Sequence, residues 1–184
     1  MKLFMLLFVL ALLAPAHAHR VIAIEGGDTL VLMVNEKPLK IGLANIDAPE
    51  KAQPFGERSR QSLSDLCLRK DALYKEQDID RYGRILAVVT CDGVEANRAQ
   101  IELGMAWVYV KYNRDLLLPG LEAMARRDRR GLWADAEPTP PWEFRQPKIK
   151  KTSLRASKTS VEGICFIDRY GEYALVDGVK RYGC

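Results

Sequence analysis

Between Val21 and Pro49 the chain leaves room for little except short antiparallel strands. Apolar and β-branched residues run from Val21 to Val34, cut once by Glu25-Gly26-Gly27-Asp28. That pattern predicts a strand, a tight turn and a second strand over Thr29–Val34. Asn35-Glu36-Lys37-Pro38 is a further turn. A third strand over Leu39–Ile46 must stop by Pro49, which has no N–H for a ladder. Three short strands on tight turns make a meander.

Downstream the period changes. Leu63, Leu66 and Cys67 recur at helical spacing within Glu57–Arg69. Strand patterns return at Ala72–Tyr74 and Ile85–Thr90, and Asp92-Gly93 turns the chain. A second helix is expected over Glu95–Leu103, closed by Gly104. Met105–Val110 is a short apolar stretch. A third helix is expected over Asp115–Arg130, with Pro119 in its first turn, Leu117, Leu121, Met124 and Ala125 on one face, and Gly131 at its end. Four prolines between Glu137 and Pro147 read as a linker. Val161–Cys184 suggests two or three strands turning at Tyr170-Gly171 and Asp177-Gly178. So short a tail holds no core, and a Cys165–Cys184 bridge is its expected staple.

Ile-Asp-Arg-Tyr-Gly occurs at 79–83 and again at 167–171, which reads as a reused turn sequence. Arg84 follows the first copy, and Glu172 follows the second.

Lys2, the apolar run Leu3–Leu13 and Ala16-His17-Ala18 have the parts of a secretory signal peptide over 1–18. The run is about half the roughly 20 residues that a membrane span needs. A secreted or periplasmic chain with no membrane span after cleavage follows. Removing Lys2 leaves 27 basic against 24 acidic residues, or +3, from the full chain's 28 and 24. This mild excess suits a polyanionic partner without requiring one. Arg126, Arg127, Arg129 and Arg130 crowd one segment, and Arg145–Lys158 holds six basic residues and no acid. The four cysteines of an exported chain suggest two disulfides, with three pairings open. His17 and His19 are the only histidines and no Cys-x-x-Cys occurs. Both facts argue against a zinc site, and His17 would leave with the leader.

Asp28, Asp47 and Glu50 lie on loops and strand ends where they can converge. Oxygen-only clusters suit hard cations such as calcium. Arg84 adds a cation on a turn entering a strand. A metal and an arginine neutralise charge on phosphoryl oxygens, and a carboxylate activates water, so these are ingredients for attack on a phosphodiester. Spacing alone leaves open that Asp47-Ala48-Pro49-Glu50 is a solvated surface turn.

Five blocks stand in order: Gly27-Asp28-Thr29-Leu30, Asn45-Ile46-Asp47-Ala48-Pro49-Glu50, Gln53-Pro54-Phe55-Gly56-Glu57, Asp80-Arg81-Tyr82-Gly83-Arg84 and Gly131-Leu132-Trp133. Together they resemble the successive blocks of the staphylococcal nuclease (thermonuclease) family, over roughly Val21 to Arg145. The resemblance implies an α+β fold: a five-stranded OB-fold β-barrel with three helices over 19–145. A basic linker over 146–160 and a small disulfide-stapled β element over 161–184 follow it. It also implies an endonuclease that hydrolyses single- or double-stranded DNA and RNA with Ca2+, and a monomer is expected. Asp28, Asp47 and the Ala48 carbonyl would ligate calcium. Glu50 would orient or deprotonate water, and Arg84 would stabilise the pentacoordinate phosphate. Tyr109 and Tyr112 lie near the family's nucleotide-side tyrosines, with core or rim packing as the alternative for both. In such a barrel Cys67 and Cys91 would pair.

Two positions depart from the family. Gly26 stands where an aspartate is usual, with Glu25 the candidate replacement. Gly42 stands where the family has a phosphate-binding arginine, five residues before Asp47. Lys40 and Arg81 are the candidate substitutes, and a lysine would rescue only partly, being a point charge rather than a fork. Two other readings therefore stay open: a catalytically impaired nucleic-acid-binding OB-fold, and an envelope adaptor that uses its tail. Trp107, Trp133 and Trp142 are expected in the core or beneath the linker.

Overall fold

The computed structural model describes residues 18–146 and three later strands. The apolar leader run, nearly all of the basic linker, and Cys165 and Cys184 with their expected bridge lie outside the described residues.

The meander forms as the turns dictate. Strands β1 (His19–Ile24), β2 (Thr29–Val34) and β3 (Lys37–Leu43) pair in antiparallel order, and β3 gives way to a two-residue strand β4 (Ile46–Asp47). After helix α1 (Gly56–Cys67), strand β5 (Asp71–Ile79) joins β1, and β6 (Ile85–Cys91) pairs with β5. β3 then pairs in parallel with β6, Gly42 opposite Leu86, and this closes the sheet into a barrel of five strands. The barrel is an OB-fold. A short β7 (Val94–Glu95) leads into α2 (Ala96–Glu102), and β8 (Trp107–Val108) pairs with β4. Helix α3 (Leu118–Arg127), a 3-10 turn (Gly131–Ala134) and a one-turn helix α4 (Pro141–Phe144) complete this part of the chain.

Inward residues of the strands and helices, among them Val21, Leu30, Leu32, Ile41, Leu63, Val89 and Ile101, are fully buried in one core. Each such side chain contributes about 1.5–3 kcal/mol by leaving water. Cys67 at the end of α1 and Cys91 at the end of β6 are bonded within that core. Trp107, Trp133 and Ala125 form a second cluster against which Trp142 packs, so the tryptophans pack as expected.

The structure corrects three expectations. β5 extends to Ile79 rather than stopping near Tyr74, because its polar residues 75–78 are held by the ladder to β6 and not by burial. α3 begins at Leu118, since Asp115 is occupied in the preceding loop, accepting the Leu117 N–H and pairing with Arg98. Of its expected apolar face, Ala125 is buried and Leu121 packs on the core, but Leu117 and Met124 are exposed. Finally, the proline-rich segment read as a linker contains α4 and docks through Trp142.

The chain divides into two compact units, Met1–Pro147 and Lys148–Cys184. In the second, strands β9 (Phe166–Asp168), β10 (Gly171–Val176) and β11 (Val179–Tyr182) form an antiparallel sheet in the order β11-β10-β9. The first copy of the repeated pentapeptide spans the β5–β6 connection, and the second begins in β9 and ends in β10. Among the described residues no helix is long and apolar enough to cross a membrane.

Candidate active site

Asp28 leaves the β1–β2 turn at the foot of β2. Before it, Gly27 has no room for a side chain: a Cβ there would sit 1.7 Å from Ser59 Oγ of α1. Gln100 of α2 donates to the Gly27 carbonyl at 2.6 Å, so two helices fix this turn. The Asp28 carboxylate is then held at both oxygens. Thr29 Oγ1 donates to Oδ1 at 2.8 Å, and the Ala48 N–H donates to Oδ2 at 2.9 Å. The second bond ties the start of β2 to the exit of β4.

Asp47 ends β4 opposite Trp107 of β8 and is only 5% exposed. Glu50, three residues on, is half-exposed, and its N–H donates to Gln53 Oε1 at 3.1 Å. Arg145 joins the two acids. Its terminal nitrogens donate to Asp47 Oδ1 and Oδ2 at 3.1 and 2.6 Å, and one of them also donates to Glu50 Oε1 at 2.7 Å. Burial pushes the Asp47 carboxyl above its ordinary value. The Arg145 hydrogen bond and charge oppose that rise, and the charges of Asp28 and Glu50 add to it. Arg145 is itself driven above the ordinary arginine range, first by its hydrogen bond to Asp47 and also by Glu50, against the effect of its own burial.

Arg84 is placed by the turn that precedes it. Gly83 takes φ +77°, which a residue without Cβ adopts at low cost. Asp80 Oδ1 accepts the N–H groups of Tyr82 and Arg84, both at 2.9 Å, and Oδ2 accepts Arg84 Nε at 3.0 Å. A terminal Arg84 nitrogen donates to Thr29 Oγ1 at 2.9 Å. Burial raises the Asp80 carboxyl, but the donated N–H groups and the Arg84 side chain outweigh it and hold it below the ordinary aspartate value.

The four principal residues are thus linked by contacts: Arg84 to Thr29, Thr29 to Asp28, Asp28 to the amide after Asp47, and Asp47 through Arg145 to Glu50. Among the described residues no three acidic, histidine or cysteine side chains close on one metal-sized point. The donors still fit a hard cation. They are all oxygens, and both oxygens of Asp47 already face one positive charge, that of the Arg145 guanidinium.

The remaining expected residues make other contacts. Lys40 is paired with Glu25, so the acid expected to replace the one missing at Gly26 is engaged with a lysine instead. Arg81 lies over the ring of its exposed neighbour Tyr82, 4.9 Å from the centroid. Tyr109 is half-buried, edge-on to the exposed Tyr112 at 4.9 Å and stacked on Trp142 at 5.4 Å. At Gly42 a Cβ would meet Leu86 Cδ2 at 2.8 Å and Arg84 Cζ and Nε at 3.2 Å, so those side chains already fill the space. Two residues escaped the sequence reading. Thr29 was visible only as a member of the Gly-Asp-Thr block, and Arg145 only as the first cation of a basic run.

A family described as staphylococcal nuclease homologue matches residues 40–135. An uncharacterized endonuclease of Escherichia coli is 44% identical over 130 residues, 70% of this chain and 85% of its own length. The chain belongs to the staphylococcal nuclease family. A micrococcal nuclease of Shigella flexneri is 37% identical over 159 residues, covering 79% of this chain and 91% of its own. An uncharacterized endonuclease of Haemophilus influenzae is 41% identical over 132 residues, 71% and 74% of the two chains. Nuclease chemistry, the hydrolysis of a phosphodiester, goes with membership of the staphylococcal nuclease family. Of the four principal residues, Asp47, Glu50 and Arg84 fall within the matched span and Asp28 precedes it.

Proposed function

We propose that this nuclease is exported, acts as a monomer, and hydrolyses the phosphodiester bonds of DNA and RNA with calcium. Asp28, Asp47 and the Ala48 carbonyl would hold the ion, which when bound supplies positive charge at the phosphoryl oxygens and lowers the cost of deprotonating water. Glu50 orients the water and takes its proton as the water oxygen bonds to phosphorus. The bond to the leaving sugar oxygen breaks, and that oxygen takes up a proton. Arg84 donates to the phosphoryl oxygens throughout and keeps its own protons.

The observation that carries this reading is the contact chain from Arg84 through Thr29 and Asp28 to the Asp47 turn. These contacts join a cation and the Asp28 carboxylate, each on a turn before a strand, to the turn that follows Asp47, and they support a shared site over a merely solvated turn. Export is supported by the leader-like start and by the Cys67–Cys91 disulfide, which persists in oxidising compartments.

The test is purified mature protein on single-stranded DNA, with calcium and then with chelator. Calcium-dependent degradation that disappears in Glu50→Gln supports the enzyme. Tight, salt-sensitive binding without cleavage supports instead a binding module that has lost turnover. The crowding of Gly42 by Arg84 and Leu86 is the observation that favours this second reading.

A further inference from the structure

We propose that Arg145 is the second phosphate-binding cation of this site, supplied from the C-terminal side of the domain in place of the arginine that Gly42 leaves out. The inference rests on the nuclease reading above.

Among the described residues, Lys40, Arg81 and Arg145 are candidates to fill the deficit at Gly42. Lys40 is engaged with Glu25 on the outer part of β3. Arg81 lies over Tyr82, which is 79% exposed at the tip of the hairpin. Only Arg145 touches the carboxylates, bridging Asp47 and Glu50. Position 42 itself has no space for a cation unless Leu86 and Arg84 move.

Arg145 is also suited to change partners. Its side chain is 44% exposed, so it can swing without disturbing the core. The backbone that carries it is held close by three contacts. Trp142 stacks on Tyr109 and packs edge-on to Trp107, Pro141 is buried, and Gln53 donates to the Thr139 carbonyl. The backbone that bears the guanidinium is therefore fixed beside the site.

The guanidinium occupies both Asp47 oxygens, so a cation held by Asp47 would compete with it. Arg145 would then give up hydrogen bonds to Asp47 while its backbone stayed anchored. A phosphate oxygen of the substrate would be the acceptor of matching charge and fork geometry. Arg145 donates to that oxygen and is neither protonated nor deprotonated in the step. Without metal the same side chain neutralises a buried carboxylate that would otherwise be left uncompensated.

The test compares wild type, Arg145→Ala, Arg145→Lys and Glu50→Gln in the full mature chain. Calcium affinity is measured by calorimetry without nucleic acid, then affinity for a phosphorothioate-linked oligodeoxynucleotide at saturating calcium, then turnover on single-stranded DNA. Arg145→Ala should bind calcium roughly tenfold more tightly, since a charge-assisted competitor is gone. It should also bind the oligonucleotide about tenfold or more weakly. Its turnover should fall on the order of 10³-fold, with part recovered by Arg145→Lys. Unchanged oligonucleotide affinity, or turnover equal to or above wild type at saturating calcium, overturns the proposal while the nuclease reading stands. If wild type itself shows no calcium-dependent turnover, the nuclease reading falls, and the oligonucleotide affinities alone decide whether Arg145 grips phosphate.

Discussion

Arg145 sets its two terminal nitrogens on the two carboxylate oxygens of Asp47, 98 positions earlier in the chain. One arginine thus spans the domain from its last helix to its fourth strand and ends on the most buried acid of the candidate site. Burial raises the Asp47 carboxyl, and the hydrogen bonds and charge of Arg145 oppose that rise.

Thr29 is the joint between the acidic and the basic halves of the site, donating to Asp28 and accepting from Arg84. Thr29→Val keeps the shape and removes both bonds. Stability should fall by about 1 kcal/mol in chemical denaturation. Turnover should fall roughly tenfold with little change in KM, because the phosphoryl-facing arginine loses its orientation.

The Cys67–Cys91 bond closes a separation of 24 residues. Replacing both cysteines by alanine should cost about 3 kcal/mol on the loop-entropy model. That corresponds to a Tm lower by roughly 10 °C in a domain of this size. Activity at low temperature should survive, since neither cysteine touches the site. A thermal scan beside a rate assay reads both.

Asp80 gives a pH dependence whose sign is fixed. Its carboxyl is depressed in the folded chain, so its contribution is complete above the ordinary aspartate value and is lost as pH falls through the lower folded value. The Tm should drop as pH falls below about 4. Asp80→Asn should flatten the slope in that window, and at neutral pH it should slow turnover by freeing Arg84 Nε.

Much of the barrel was legible because its strands are bounded by turns with a stereochemical reason: Gly26-Gly27, Asn35-Glu36 and Asp92-Gly93. Asp28, Asp47, Glu50 and Arg84 were legible as a set only through the family's blocks, since acids and arginines on turns are ordinary in isolation. Parallel closure of β3 on β6 leaves no local pattern, because its partners are over 40 positions apart. Asn97 left none either. It is 1% exposed and bonds Val89 N–H and the Ala44 and Ala87 carbonyls, holding β6 to the chain that leads into β4. Gly42 was read as a missing arginine. Its occupation by Arg84 and Leu86 follows from a pairing across the barrel that no sequence window contains. Arg145 was hidden by its setting, a proline-rich segment whose composition signals a linker even where one turn of helix docks.

The most direct measurement is the anomalous signal of calcium in crystals of the mature chain bound to a phosphorothioate dinucleotide. One ion is expected, with oxygens of Asp28 and Asp47 and the Ala48 carbonyl at about 2.3–2.6 Å. Arg84 should donate to the phosphate, and Glu50 should lie within hydrogen-bond reach of the attacking water. An ion bound elsewhere, or a phosphate held out of reach of Arg84 and Glu50, would contradict it.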